Sequence, residues 1–327
     1  MSLNLLGLAT LALVFPQKGT DSLDALRRSF DQHAGVNVDA YVEKPYRGSD
    51  MMRVRFLVDA AGRRRTEVIG PLAMQGRVFI DDGTSYITYF PDRHLVQIHT
   101  APPSENNLDR RMELIRRNYR LEMENKVTFA GRPALVIVAA PRDAALKTHR
   151  FTLDAATFVP LKTETVDALG NVTVKFRVSR ISFPARFDRD TFGAPEGEGI
   201  RRETQRPPER VAFPGSREAE QRLGFVPAMP RRIKRFNRQG DDLLDWRGIK
   251  TMATKWGDGL VRLTVFQFRT GASPAPPPRP DEGPKVGEDV DGVRIEVYGD
   301  DVPVSVREGV LAAYVRILQG RAKAQDP

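Results

Sequence analysis

Four histidines, His33, His94, His99 and His149, are the first place to look for chemistry in this 327-residue chain. No two of them stand four residues apart, so the paired histidines that hold zinc on one helix face are absent from the sequence. The chain has no cysteine, which excludes disulfides, thiolate metal sites, a cysteine nucleophile and a lipid anchor of the lipobox type. There is no Gly-x-Ser-x-Gly elbow, no Gly-x-Gly-x-x-Gly run and no Walker-type loop. The commonest hydrolase and phosphate-cradling signatures are therefore missing. Glu288, Asp289, Asp291 and Gly292 invite a calcium reading. An EF-hand needs glycine at its sixth place, and that register puts Gly287 where the first carboxylate belongs. They read instead as a hairpin turn, as do Asp81 and Asp82 beside Gly83. Tyr86, Tyr89 and Phe90 near Arg93 are a thin version of a base-stacking platform, and core is the plainer reading. No catalytic, cofactor-binding or metal-ligating residue is assigned. The expectation is a protein that is not an enzyme, holds no cofactor and binds no nucleic acid.

Lysine and arginine number 51 against 42 acids, a net charge of +9. The acids are interleaved with the bases almost everywhere, so this reads as a solvated basic surface rather than a binding field. An apolar share of 40% and a charged share of 28% are ordinary for a globular chain. The run LNLLGLATLALVF at 3–15 is short for a membrane span and suits the apolar core of a secretory signal. No lysine or arginine precedes it, and no small-x-small cleavage site follows it cleanly. Residues 1–19 are read as a signal peptide, and the mature protein is expected in the periplasm or cell envelope.

What would position any site is a large antiparallel sheet. At 172–178, Val172, Val174, Phe176 and Val178 alternate with polar residues, and at 52–58 Met52, Val54, Phe56 and Val58 do the same. Further strands are expected at 36–42, 64–69, 77–80, 85–90, 94–99, 121–129, 135–139, 151–154 and 159–166. Gly170 and Gly83 supply the turns. A helix over 23–33 and a second over 105–119, capped by Ser104, present Leu23, Leu26 and Phe30, then Leu108, Met112 and Ile115, on one face each. The stretch 193–215 is rich in proline, glycine and charge and reads as a linker. A second domain, 216–320, carries strands at 231–236, 251–256, 261–268 and 293–297. It also carries a proline-rich loop at 271–284 and a closing helix that lines up Val306, Val310, Ala313, Tyr314 and Ile317. Residues 321–327 are a tail. The fold class is mainly β, of the α+β kind, with a smaller C-terminal α+β domain.

Two segments carry a resemblance. AGRPALVIVAAPRD (130–143) followed by RFTLDAATFVPLKTETVDALGNV (150–172) is similar to the end of the large domain of the RseB/MucB family. In the second domain, WGDGLVRLTVFQF (256–268) and VDGVRIEVYGDDVPVSV (290–306) resemble that family's strand after a Ser-Asp-Gly-Leu motif and its entry to a final helix, with Gly257 where the serine would stand. The segment 144–149 lacks the aromatic-rich pattern expected before the FTLD strand, and the proline loop is an addition. The resemblance implies that residues 20–192 form a LolA-like antiparallel half-barrel, open, apolar on its concave face and covered by helices. It implies a non-catalytic regulator of the sigma-E envelope-stress response that binds the periplasmic part of a membrane-bound anti-sigma factor and senses lipid or lipoprotein acyl chains. The alternative is a periplasmic lipoprotein or lipid carrier of the LolA type. On this resemblance Val54, Phe56, Val58, Leu108, Met112 and Ile115 are the candidate lining of an apolar groove.

Overall fold

The computed structural model describes residues 21–31, 35–46, 50–100, 107–205, 210–212, 216–246, 248–271, 285–299 and 301–325. The 3–15 run, Ser104, His33 and residues 272–284 lie outside them.

The first sheet is built from β1 (Val38–Pro45), β2 (Met51–Val58), β3 (Arg64–Gly70), β4 (Val78–Asp81), β5 (Ser85–Phe90), β6 (Leu95–Thr100), β7 (Tyr119–Phe129), β8 (Arg132–Pro141), β9 (Thr148–Asp154), β10 (Pro160–Val166), β11 (Val172–Ser182) and β12 (Arg201–Gln205). Their spatial order is β12-β6-β5-β4-β3-β2-β1-β11-β10-β9-β8-β7, with β12 and β7 as separate edges, so the sheet is open. Neighbours are antiparallel except β12 on β6. The hairpins are set locally. Between β10 and β11, Asp167 accepts from the backbone of Leu169 and Asn171, and Gly170 takes φ +84°. That conformation suits a residue without a Cβ.

Two helices cover part of the sheet: α1 (Ser22–Phe30), capped by Asp21, and α2 (Leu108–Asn118), capped by Asn107. Ala25 and Leu26 of α1 and Met112 and Ile115 of α2 join Leu135, Ile137, Phe151 and Leu153 of β8 and β9 in one buried cluster. The charged opposite faces of both helices stay wet, as amphipathic periodicity requires.

The second sheet has the order β13-β14-β15-β16-β18-β17, from β13 (Arg210–Ala212), β14 (Asn237–Trp246), β15 (Ile249–Gly257), β16 (Arg262–Arg269), β17 (Val286–Val290) and β18 (Val293–Tyr298). Against it lie α3 (Ser216–Leu223) and α4 (Val304–Gln325). Trp256 donates its indole N–H to the Tyr314 hydroxyl at 2.8 Å in the centre of that core.

Three expectations are corrected. The stretch 193–215 is not wholly linker: it gives β12 to the first sheet and β13 to the second. Edge pairing uses main-chain groups, so RRETQ needs no apolar side chains to join a ladder. The expected strand 231–236 is instead a turn closed by a single Ile233–Phe236 bridge, with Lys234 at φ +33°. Its apolar residues anchor it in the second core, and the strand proper is β14, whose NRQGDD opening hid it. The second helix is capped by Asn107 rather than by Ser104.

Candidate functional site

An apolar cavity of about 390 Å³ opens on one face of the first sheet, where β2, β1 and β11 lie side by side. Val38, Ala40 and Val42 of β1, Val54, Phe56 and Val58 of β2, and Phe176 and Val178 of β11 form its floor. The period of two puts them there: the register pairs Ala40 with Phe56 and Val42 with both Val54 and Val178. The alternating partners Asp39, Arg55 and Glu67 make an ion-pair ladder on the other face, with Arg55 at 2.8 Å from Asp39. Burial opposes the Arg55 charge less than the hydrogen bond to Asp39 supports it, and its pKa is raised.

The six candidate groove residues therefore divide. Val54, Phe56 and Val58 line the cavity. Met112 and Ile115 are buried in the helix–sheet core, with Leu108 packed against it, and none of the three reaches the cavity. Both triads show clean periodicity, and periodicity identifies a dry face without saying whether protein or ligand dries it.

The side wall was not foreseen. Asp154, fully buried, accepts from the backbone N–H of Ala156 and Thr157 and from the Thr157 hydroxyl, and pairs with Arg132. Burial works against the carboxylate charge, but these bonds outweigh it and hold the pKa below its ordinary value. The tight turn forces Phe158 to φ +60°, with its N–H on the Asp154 carbonyl. Such a conformation is costly for a side chain with a Cβ and persists where the surroundings fix it. It brings Phe158, Val159 and Pro160 to the cavity, opposite Arg28, Ser29 and Phe30 at the end of α1. Arg28 lies over the Phe158 ring at 5.0 Å. Lys44, Asp59 and Arg64 stand at the rim. Asp59 is committed to Arg63 at 2.6 Å, whereas Lys44 and Arg64 have no carboxylate partner among the described residues.

The residues that first suggested chemistry do not converge. Asp81 and Asp82 cap the turn at Gly83 and Thr84, and Asp289 is paired with Arg294 in the β17–β18 hairpin. Among the described residues no cluster of three histidines or acids is placed to hold a metal.

Residues 46–195 match the family model of the MucB/RseB N-terminal domain. That stretch, which holds most of the first sheet, is similar to the N-terminal domain of the MucB/RseB family. The fold is also that of solved MucB structures. The crystal structure of MucB in complex with MucA(peri) superposes with a TM-score of 0.58 at 19% identity, over 89% of this chain and 97% of that one. The Pseudomonas aeruginosa MucA/MucB complex gives a TM-score of 0.60 at 18% identity and the same coverage. MucB alone gives 0.56 at 17%, over 90% and 98%. No curated protein matches the sequence.

In this chain the two sheets meet at a polar junction built on Asp258, in the tight turn after β15. Its fully buried carboxylate accepts from the Tyr119 hydroxyl at 2.8 Å, from Nε and Nη2 of Arg235 at 3.2 Å each, and from the backbone N–H of Leu260 and Val261. Its carbonyl accepts from Asn118 at 2.9 Å. Burial and then the Asp258 charge push the Tyr119 pKa far up, so Tyr119 remains a donor. Asp301, before α4, lies 2.6 Å from Lys175 and 3.5 Å from Lys147 of the first sheet. Beneath the junction His149 is buried against Tyr119, ring centroids 6.0 Å apart. Burial brings its pKa down to about 4 despite the pull of Asp301 and Asp258. Asp258 sits in the WGDGL segment that carried part of the resemblance, but no pattern linked it to Tyr119, which is 139 residues away.

Proposed function

We propose that this chain is a non-catalytic envelope regulator that binds the periplasmic segment of a membrane-bound anti-sigma factor and senses lipid in the cavity beneath β1, β2 and β11. The observation that carries the reading is the joint match: the 46–195 domain model, and the same two-sheet architecture as MucB solved with MucA(peri) over 89% of the chain. No helix among the described residues is long and apolar enough to cross a membrane.

Three features support lipid as the sensed ligand. The cavity volume of about 390 Å³ falls in the range of small-molecule sites, roughly 300–1,000 Å³. Its wall is mostly apolar, and each acyl methylene buried there gains about 0.8 kcal/mol. Lys44 and Arg64 at the rim suit an anionic head group. The same cavity favours the carrier reading as the second choice.

The test is fluorescence anisotropy of the labelled periplasmic segment of the anti-sigma factor encoded in the same genome, titrated with the mature protein and then with palmitate. A regulator binds the segment and releases it as palmitate is added. Palmitate uptake without any binding of the segment would leave the carrier. Failure to bind either would overturn both readings.

A further inference from the structure

Phe30 belongs to two structures at once. The residue lines the cavity, and its ring packs on the helix–sheet core, edge-on to Phe151 at 5.8 Å. On its far side the Arg111 guanidinium lies 3.6 Å from the ring centroid. Arg111 has no acidic partner among the described residues. Its Nε instead donates to the Gly259 carbonyl at 2.9 Å, in the turn that Asp258 anchors to the second sheet. Burial, then the neighbouring Arg262 charge, lowers its pKa to about 10. The turn is seated closely: Gly259 has φ +109°, and a Cβ there would come within 2.7 Å of the Ile115 side chain. A chain of direct contacts thus runs from the cavity, through one phenyl ring and one guanidinium, to the backbone of the second sheet's docking turn.

We infer that Phe30 and Arg111 couple occupancy of the cavity to the seating of the second domain on α2. The inference rests on the lipid reading of the cavity and adds the regulation of that site. An acyl chain that reaches the α1 end displaces the Phe30 ring. Arg111 then loses the face it stacks on, and its bond to Gly259 weakens. Arg111 depends on that bond because no carboxylate holds it. The remaining junction bonds, from Tyr119 and Asn118 to Asp258 and from Lys175 and Lys147 to Asp301, keep the two sheets together, so the response is a shift of seating and not a separation. Linkage makes the coupling reciprocal: whatever loosens the Arg111 bond must raise affinity for a chain that needs Phe30 out of the way. Residues 258–260 thereby become the place where a lipid signal reaches the second domain.

The absence of cysteine makes the test clean. Leu169→Cys, on an 88% exposed hairpin tip of the first sheet, and Arg217→Cys, on the exposed side of α3, take a donor and acceptor dye pair. Palmitate uptake is measured by calorimetry and seating by energy transfer, in the otherwise native chain and with Arg111→Ala or Phe30→Leu added. The expected result is a change in transfer on saturation of the native pair. In both variants transfer without ligand is already displaced toward the loaded value, and palmitate binds about 5-fold tighter or more, the low end of ordinary coupling energies. Phe30→Leu keeps an apolar side chain in the core, so it guards against loss of folding in Arg111→Ala. Native uptake with unchanged transfer, or variants that bind like the native chain, would overturn the coupling and leave the lipid reading standing. No uptake by the native chain would remove the lipid reading and the coupling with it.

Discussion

Removing the Tyr119 hydroxyl tests whether Asp258 holds the two sheets together. Tyr119 is 1% exposed and Asp258 is 0% exposed, so solvent screens their 2.8 Å bond little. A hydrogen bond to a charged group contributes about 1.5–3 kcal/mol, and Tyr119→Phe should cost about that much. Asp258→Ala takes away the acceptor of Tyr119 and the nearer counter-charge of Arg235, itself 10% exposed, leaving it only the pair with Asp143 at 3.5 Å. Breaking a buried pair from one side costs about 3–5 kcal/mol. The two costs should not add, because they share one bond, and the double-mutant coupling should be about 1.5–3 kcal/mol. The assay is urea unfolding at pH 7, followed by circular dichroism and by tryptophan fluorescence. Both tryptophans, Trp246 and Trp256, lie in the second sheet, so fluorescence reports that unit alone. In the native chain the two probes should coincide. In Asp258→Ala they should separate, the second sheet melting apart from the first. A coupling below about 0.5 kcal/mol, the ordinary scatter for independent sites, would refute the idea that this bond unites the two units.

Phe56→Ala should cost well under the roughly 3–5 kcal/mol of a filled core position, because its ring already faces a cavity, and it should weaken palmitate binding in calorimetry. Met112→Glu should instead be severely destabilising in a urea melt, since Met112 is 5% exposed inside the helix–sheet core and a buried unpaired carboxylate is heavily penalised. His149 has an ordinary value of 6.5 lowered to about 4 in the folded chain. The unfolded chain takes up that proton first, so stability should fall as pH drops from about 6.5 to about 4, by about 3 kcal/mol in all. His149→Gln should flatten that part of the pH profile while leaving the loss below it, where Asp154 and Glu296, both held below their ordinary values, become protonated. A protease site inserted between Gln205 and Arg210 should yield two fragments that still co-elute in size exclusion. Separation at micromolar concentration would mean that the junction is too weak to hold without the chain connection.

Much of the sheet was legible because alternation is a local property. Val54, Phe56 and Val58 read as one face and are one face. The hairpin at Gly170 and the faces of α1 and α2 were legible for the same reason. What was not legible depends on partners far along the chain. Leu108, Met112 and Ile115 carry as regular a stripe as the β2 residues, yet β8 and β9 fill the space in front of them. Strand β12 has no apolar pattern because it is recognised through its backbone. Asp258 and His149 are one acid among 42 and one histidine among four, and only packing singles them out.

The middle of the large sheet is a seam between distant parts of the chain. Strand β1 pairs on one side with β2, its neighbour in sequence, and on the other with β11, where Asp39 faces Ser182. In a chain that emerges amino end first, β1 stays a bare edge until residues near 172 have followed it, with Val38, Ala40 and Val42 facing a cavity that has only part of its floor. The pairing is far from local, and such topologies assemble slowly, while an uncovered strand edge invites association with other chains. A truncation that stops before Val172 cannot cover that edge at all. The interval before β11 has been made is thus the stage at which this protein most needs an escort, and the feature that makes the hollow in the finished molecule is the last part of the large sheet's centre to be built.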